Sequence, residues 1–208
     1  EVYRNNYDQA ANLLENSFMD LNGDLSNSVY FTFSQSGQDF PNPLFESENQ
    51  TVANARIAHP SFVEDILADD NRINKIIQRD ESESLTQSDL SGNDVVFIYG
   101  SNTANVDIVR NEELILLYAE ALHASEPSEA VNAINIIRSS AGLPDYSGGT
   151  SPDELVDEIL YQKRYSLFAE GGHRWIDMRR FDRLDELPND RPEDNVFQQF
   201  PTPAAENR

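Results

Sequence analysis

Glu170, His173 and Asp177 are the side chains in this sequence best spaced to do acid–base chemistry together. Separations of three and four would let them share a face, and a carboxylate beside an imidazole is the minimum kit for general acid–base catalysis. Their neighbours argue otherwise. Lys163, Arg164, Arg174, Arg179, Arg180 and Arg183 crowd the same stretch, and cations this close hold carboxylates ionised instead of setting one up as an acid. Tyr161 to Arg183 therefore reads as a partly buried ion-pair network bedded on Leu167, Phe168, Trp175, Ile176 and Met178. The pair Gly171-Gly172 suits a left-handed corner between two helices.

Other chemistries find less support. With 37 Asp and Glu, a glycosidase pair cannot be picked out by counting, because nothing singles out two carboxylates across a cleft. His59, His123 and His173 lie far apart and lack the i, i+4 spacing of a zinc helix, and there is no cysteine for a thiolate site. Asp20 to Asp24 resembles the start of a calcium loop, but Leu25 stands where the loop needs glycine and Phe31 where it needs a bidentate Glu. No phosphate-binding glycine loop and no GxSxG elbow is present. The expectation is a protein without metal, cofactor or catalysis.

A binding surface is easier to find. Residues 34–51 form a Ser-, Gln-, Asn- and Pro-rich stretch in which Asp39, Phe40, Asn42 and Phe45 set rings beside amides and a carboxylate. An apolar face to stack on, with fixed acceptors for hydroxyls, is what a neutral sugar requires. The competing reading is that both rings plug the loop onto the domain. A net charge of −22 speaks against nucleic acid and anionic lipid as partners. No run of eighteen apolar residues could span a bilayer.

The elements that must hold these groups are mainly helical. Apolar spacing predicts a helix over residues 2–18, another opened by a Ser61/Glu64 capping box, and a short one around Ile73, Ile76 and Ile77. Strands are expected at 29–33 and 95–99, with a loop or hairpin across 79–93. From Arg110 the pattern becomes regular. Leu114, Leu117, Tyr118, Ala121 and Leu122 share one face, and Ala130, Ala133, Ile134 and Ile137 repeat the pattern after Pro127. Two antiparallel helices in about 32 residues, with alanine at the contacts, have the spacing of a tetratricopeptide-like pair. Ser151-Pro152-Asp153-Glu154 is a capping box with proline at the first helical position. Beyond Leu187 the Pro-rich tail is expected to run extended with Phe197 and Phe200 tucked down.

Four segments in order carry a family resemblance: RNEELILLYAEA (110–121), NIIRSSAGL (135–143), AEGGHRWIDMRRF (169–181) and FPTPAAEN (200–207). Together they resemble the C-terminal signatures of SusD/RagB proteins, nutrient-binding lipoproteins of Bacteroidota outer membranes. Asp70 and Arg72 also resemble that family's D-x-R segment. The resemblance implies a mainly α, SusD-like fold: tetratricopeptide-like helical pairs, long irregular loops and a few short strands. It implies two regions, a loop-rich part over 1–109 carrying ligand contacts and a helical part over 110–208. It implies non-catalytic capture of a glycan at the cell surface and delivery to a SusC-like TonB-dependent transporter. The chain is read as the C-terminal part of a longer protein, with membrane attachment only through a lipid anchor absent from this sequence. Within the shared segments, Arg138, Glu170, Arg174, Asp177 and Arg180 are expected to hold helices together, with Arg164 just upstream in the same ion-pair network. A tetratricopeptide-like scaffold for protein segments is the alternative, and a carbohydrate-active enzyme a further one.

Overall fold

The computed structural model describes residues 1–52, 54–87, 89–200 and 202–203. Its elements, in order, are α1 (Tyr7–Glu15), β1 (Ser28–Phe31), α2 (Ser61–Glu64), β2 (Ile76–Gln78), β3 (Leu85–Gln87), β4 (Leu90–Gly92), β5 (Asp94–Val96) and β6 (Val106–Arg110). Then come α3 (Asn111–Leu122), α4 (Pro127–Ser140), α5 (Pro152–Ser166) and α6 (His173–Arg180). The fold is mainly α, with the short strands paired as three antiparallel ribbons: β1 with β6, β2 with β5, and β3 with β4.

The main core lies where α3, α4 and α5 meet. Ile115, Leu116, Ala119, Ala130, Ala133, Ile134, Ile137, Leu155 and Ile159 are all buried there. Alanines at the crossing points let the backbones approach while the branched residues fill the remaining space. Helix α3 packs against α1, α4 and α5. The Ser151 hydroxyl and the Glu154 carboxylate cap α5 reciprocally, as the sequence predicts.

A second cluster joins the middle of the chain to α5. Phe62 and Tyr165 meet at a tilt of 58° with centroids 4.9 Å apart, and Ala58 and Ile76 lie beside them. Under it lies a buried pair in which Arg72 donates to Asp70 at 2.6 Å and reaches the Gln162 side chain of α5 at 2.7 Å. The Asp20–Asp24 segment is a turn closed onto α3: the buried Asn111 amide donates to the Asp20 and Asp24 carbonyls.

Several local expectations are corrected. The predicted 2–18 helix is a 3₁₀ turn at Val2–Arg4 followed by α1, because Asn5 turns left-handed between them. Ser61 does not cap α2; Arg164 and His59 engage its hydroxyl instead. Ile76 and Ile77 lie on β2, where pairing with β5 overrides the helical spacing, and β6 was not anticipated at all. Phe197 and Phe200 are exposed, Phe200 by 83%. The closing motif falls largely outside the described residues, since 201 and 204–208 do.

Candidate functional site

The corner between α5 and α6 is built by backbone the sequence marks clearly. Ala169, Gly171 and Gly172 all have positive φ, and Gly172 directly precedes α6. The turn swings α6 back so that its Asp177 and Arg180 meet α3 and α5. Glu120 of α3 is fully buried. Its carboxylate takes Lys163 Nζ of α5 at 2.5 Å and Arg180 Nη2 of α6 at 2.6 Å. Asp177 faces the same two cations at 3.4 and 2.9 Å. Two anions and two cations thus lock three helices around one point. The Arg180 guanidinium lies between the rings of Tyr3 and Phe181, 4.8 and 4.6 Å from their centroids. Its Nε and Nη1 find no hydrogen-bond partner among the described residues, and the rings stand in their place.

The remaining charges of the corner fan outward. Arg138 joins α4 to α5 through Glu158 at 2.6 Å and the Pro144 carbonyl at 2.7 Å. Arg164 ties α5 to α2 through Asp65 at 2.8 Å and the Ser61 carbonyl at 2.9 Å. Glu170 accepts from Arg110 of β6 at 2.7 Å; burial raises its pKa, and Arg110 opposes that shift. Arg174 stands apart. It is half-buried, and among the described residues no carboxylate lies within ion-pairing distance of it. Burial lowers its pKa first, and the neighbouring Arg164 charge lowers it further.

The three residues first singled out for catalysis go to separate partners. Glu170 faces Arg110, Asp177 faces Lys163 and Arg180, and His173 bonds the Tyr3 hydroxyl at 3.1 Å with Glu113 at 3.6 Å. Burial raises the Tyr3 pKa, which keeps the phenol neutral.

One cavity on this corner connects with two others through shared wall residues. The first, of about 530 Å³, is lined by Phe62, Phe168, Trp175, Arg164, Arg174 and Glu186, with His59 and Ala169 also on its wall. His59 continues into a second of about 410 Å³, formed with Ile57, Leu85, Leu90 and Asp190. Ala169 continues into a third of about 100 Å³, between Leu44, Glu46, Arg56 and Tyr99. His59 sits where the first two meet. Its Nδ1 accepts the Ser61 amide at 3.1 Å, so Nε2 carries the proton and donates to Asp190 at 2.8 Å.

The loop residues chosen for sugar contact divide. Phe40 is 77% exposed, and the Asp39 side chain accepts its amide at 2.8 Å. Asn42 is buried: its amide donates to the Ala104 carbonyl at 3.0 Å and its oxygen accepts from Leu44 N–H at 2.8 Å. Phe45 is half-buried. Leu44 and Glu46 bring this loop to the rim of the small cavity. Tyr30 and Phe31, exposed on β1, escaped the sequence reading although their types suit the same role. Glu120 and Arg110 were missed as network members, although both stand in the RNEELILLYAEA segment that carries the family resemblance.

The family model for SusD matches residues 98–207. A SusD-like protein of Formosa agariphila is 30% identical over 161 residues, covering 71% of this chain and 29% of that relative. A SusD superfamily protein of Bacteroides vulgatus superposes with a TM-score of 0.57 at 18% identity, over 89% of this chain and 50% of the other. A structure described as a SusD-like carbohydrate binding protein, also from Bacteroides vulgatus, gives 0.51 at 13% identity, over 86% and 41%. The chain thus spans half or less of the length of each of these relatives. With the match covering the helical core and the corner that closes it, this chain belongs to the SusD family.

Proposed function

We propose that the protein binds a glycan without transforming it, as a surface component of the outer membrane that hands its ligand to a SusC-like TonB-dependent transporter. Residues 1–109 supply ligand-contacting loops and residues 110–208 the helical frame. The observation that carries this reading is a set of adjoining cavities, two of them edged by aromatic side chains and the smallest bordered by the 39–45 loop. Adjoining depressions with rings and fixed polar groups fit consecutive sugar units better than one compact metabolite. Family membership supports the same class of ligand. The carboxylates of the corner are held in ion pairs, which suits positioning more than proton transfer. A tetratricopeptide-like peptide scaffold is less well supported, because α3 is covered by α1, α4 and α5 where such a scaffold needs an open groove.

The test is a glycan-array screen of the wild type and Phe40→Ala. Phe40 is exposed, so its loss leaves the melting temperature unchanged, to within about 0.5 kcal/mol of stability, while retention of the bound glycan weakens. Chain lengths of that glycan stay constant on incubation. Release of reducing ends, or competition by peptides and not by sugars, overturns the proposal.

A further inference from the structure

The cavity of about 530 Å³ holds a discrepancy in its charges. Its wall carries Asp65, Glu170, Glu186, Lys163, Arg164 and Arg174. Asp65 is paired with Arg164, Glu170 with Arg110, Glu186 with Arg183 and Lys163 with Glu120, at 2.8, 2.7, 2.6 and 2.5 Å respectively. His59 is committed to Asp190 and His173 faces Glu113. Among the described residues Arg174 is the one charge on this wall without an ion pair. It is so in a chain with 37 acidic residues against 15 basic ones, where a carboxylate partner would be the easiest thing to supply.

We propose that Arg174 receives an anionic substituent of the bound saccharide, a uronate carboxylate or a sulfate ester, inside this cavity. This rests on the glycan-binding reading above and deepens it. A guanidinium offers a planar fork that meets either group with two parallel hydrogen bonds. Its partial burial strengthens that attraction over one at a fully exposed site. Phe62, Phe168 and Trp175 supply apolar wall for the sugar ring, and Ser61 lies on the same wall. The remaining charge of the protein works against a polyanion, since the molecule is −22 overall and seven of its 15 basic residues lie between 163 and 191. A local cation facing a cavity is therefore what retention of an acidic glycan requires.

The experiment is a glycan array with neutral, uronate-containing and sulfated members, read with wild type, Arg174→Gln and Arg174→Lys. The wild type is expected to retain acidic members. Arg174→Gln weakens them by about ten-fold or more, as the loss of a charged hydrogen bond implies, and leaves its melting temperature in place because no internal ion pair is broken. Arg174→Lys, keeping the charge but losing the fork, falls between. Uronate-only or sulfate-only retention identifies which anion the site takes. If the wild type retains neutral glycans alone, or if Arg174→Gln keeps its acidic ligand, this inference fails while glycan binding stands. If no glycan is retained, both fall. If Arg174→Gln melts well below wild type, Arg174 is structural and the inference is again refuted.

Discussion

Replacing Glu120 tests whether the four-charge cluster is what fixes α6 against the core. Glu120→Gln removes one charge from a fully buried carboxylate that engages Lys163 and Arg180, leaving both cations to Asp177 alone. Asp177 meets Lys163 only at 3.4 Å, so its compensation is incomplete. Breaking a buried pair from one side costs about 3–5 kcal/mol. In a domain of this size each kcal/mol moves the melting temperature by about 2–4 °C, so a fall of roughly 6–20 °C is expected. The double variant Glu120→Leu/Lys163→Met removes one anion and one cation and fills their space, leaving the Arg180–Asp177 pair at 2.9 Å. It should recover most of the loss, because apolar replacement of a buried pair is commonly neutral or stabilising. The assay is thermal and urea denaturation of all four corners of the cycle, with Lys163→Met and Glu120→Leu as the single changes. Asp157→Ala, which breaks an exposed pair with Arg183, is the control and should stay within about 1 kcal/mol of wild type. Single variants that melt like wild type, or a double variant as damaged as the sum of the singles, would refute the reasoning.

Two further outcomes follow from particular contacts. Asn42→Ala strands the Leu44 amide and the Ala104 carbonyl, so it should cost about 1–3 kcal/mol and speed protease cleavage within 39–45; unchanged proteolysis and melting would remove Asn42 from its loop-holding role. Burial, with the Arg110 charge beside it, lowers Lys75 to about 8 from its ordinary 10.5. The unfolded chain therefore keeps a proton the folded chain has released between those two values, and stability rises with pH across that window. The gain from pH 7 to 9 should be about 1 kcal/mol, measured by urea denaturation, and absent in Lys75→Met; equal slopes in the two proteins would show that Lys75 is not the group responsible.

The helical half was legible because its signals are local and agree with one another. Pro127, the Ser151/Glu154 box and the paired glycines each fix one boundary, the alanine spacing marks the contact face, and the structure keeps every one of them. The first half was less legible because its elements depend on partners distant in sequence. Ile76 and Ile77 have helical spacing, yet β5 draws them into a ribbon. β6 exists because β1, some 80 residues earlier, pairs with it.

The same contrast separates the two kinds of site. The ion-pair residues could be suspected from sequence because charges set among apolar residues must find partners once buried. Which partner each takes could not be read, since Glu120 and Lys163 stand 43 positions apart. Arg174 shows why that matters. By type and position it belongs with Arg164 and Arg180, and sequence reasoning placed it in their network. Only the geometry separates an arginine that joins two helices from one that faces a cavity with no counter-ion among the described residues. Removing the first should unfold the corner, and removing the second should empty it. Melting and glycan retention measured on the same variant of each residue, Arg180→Gln beside Arg174→Gln, distinguish those roles directly.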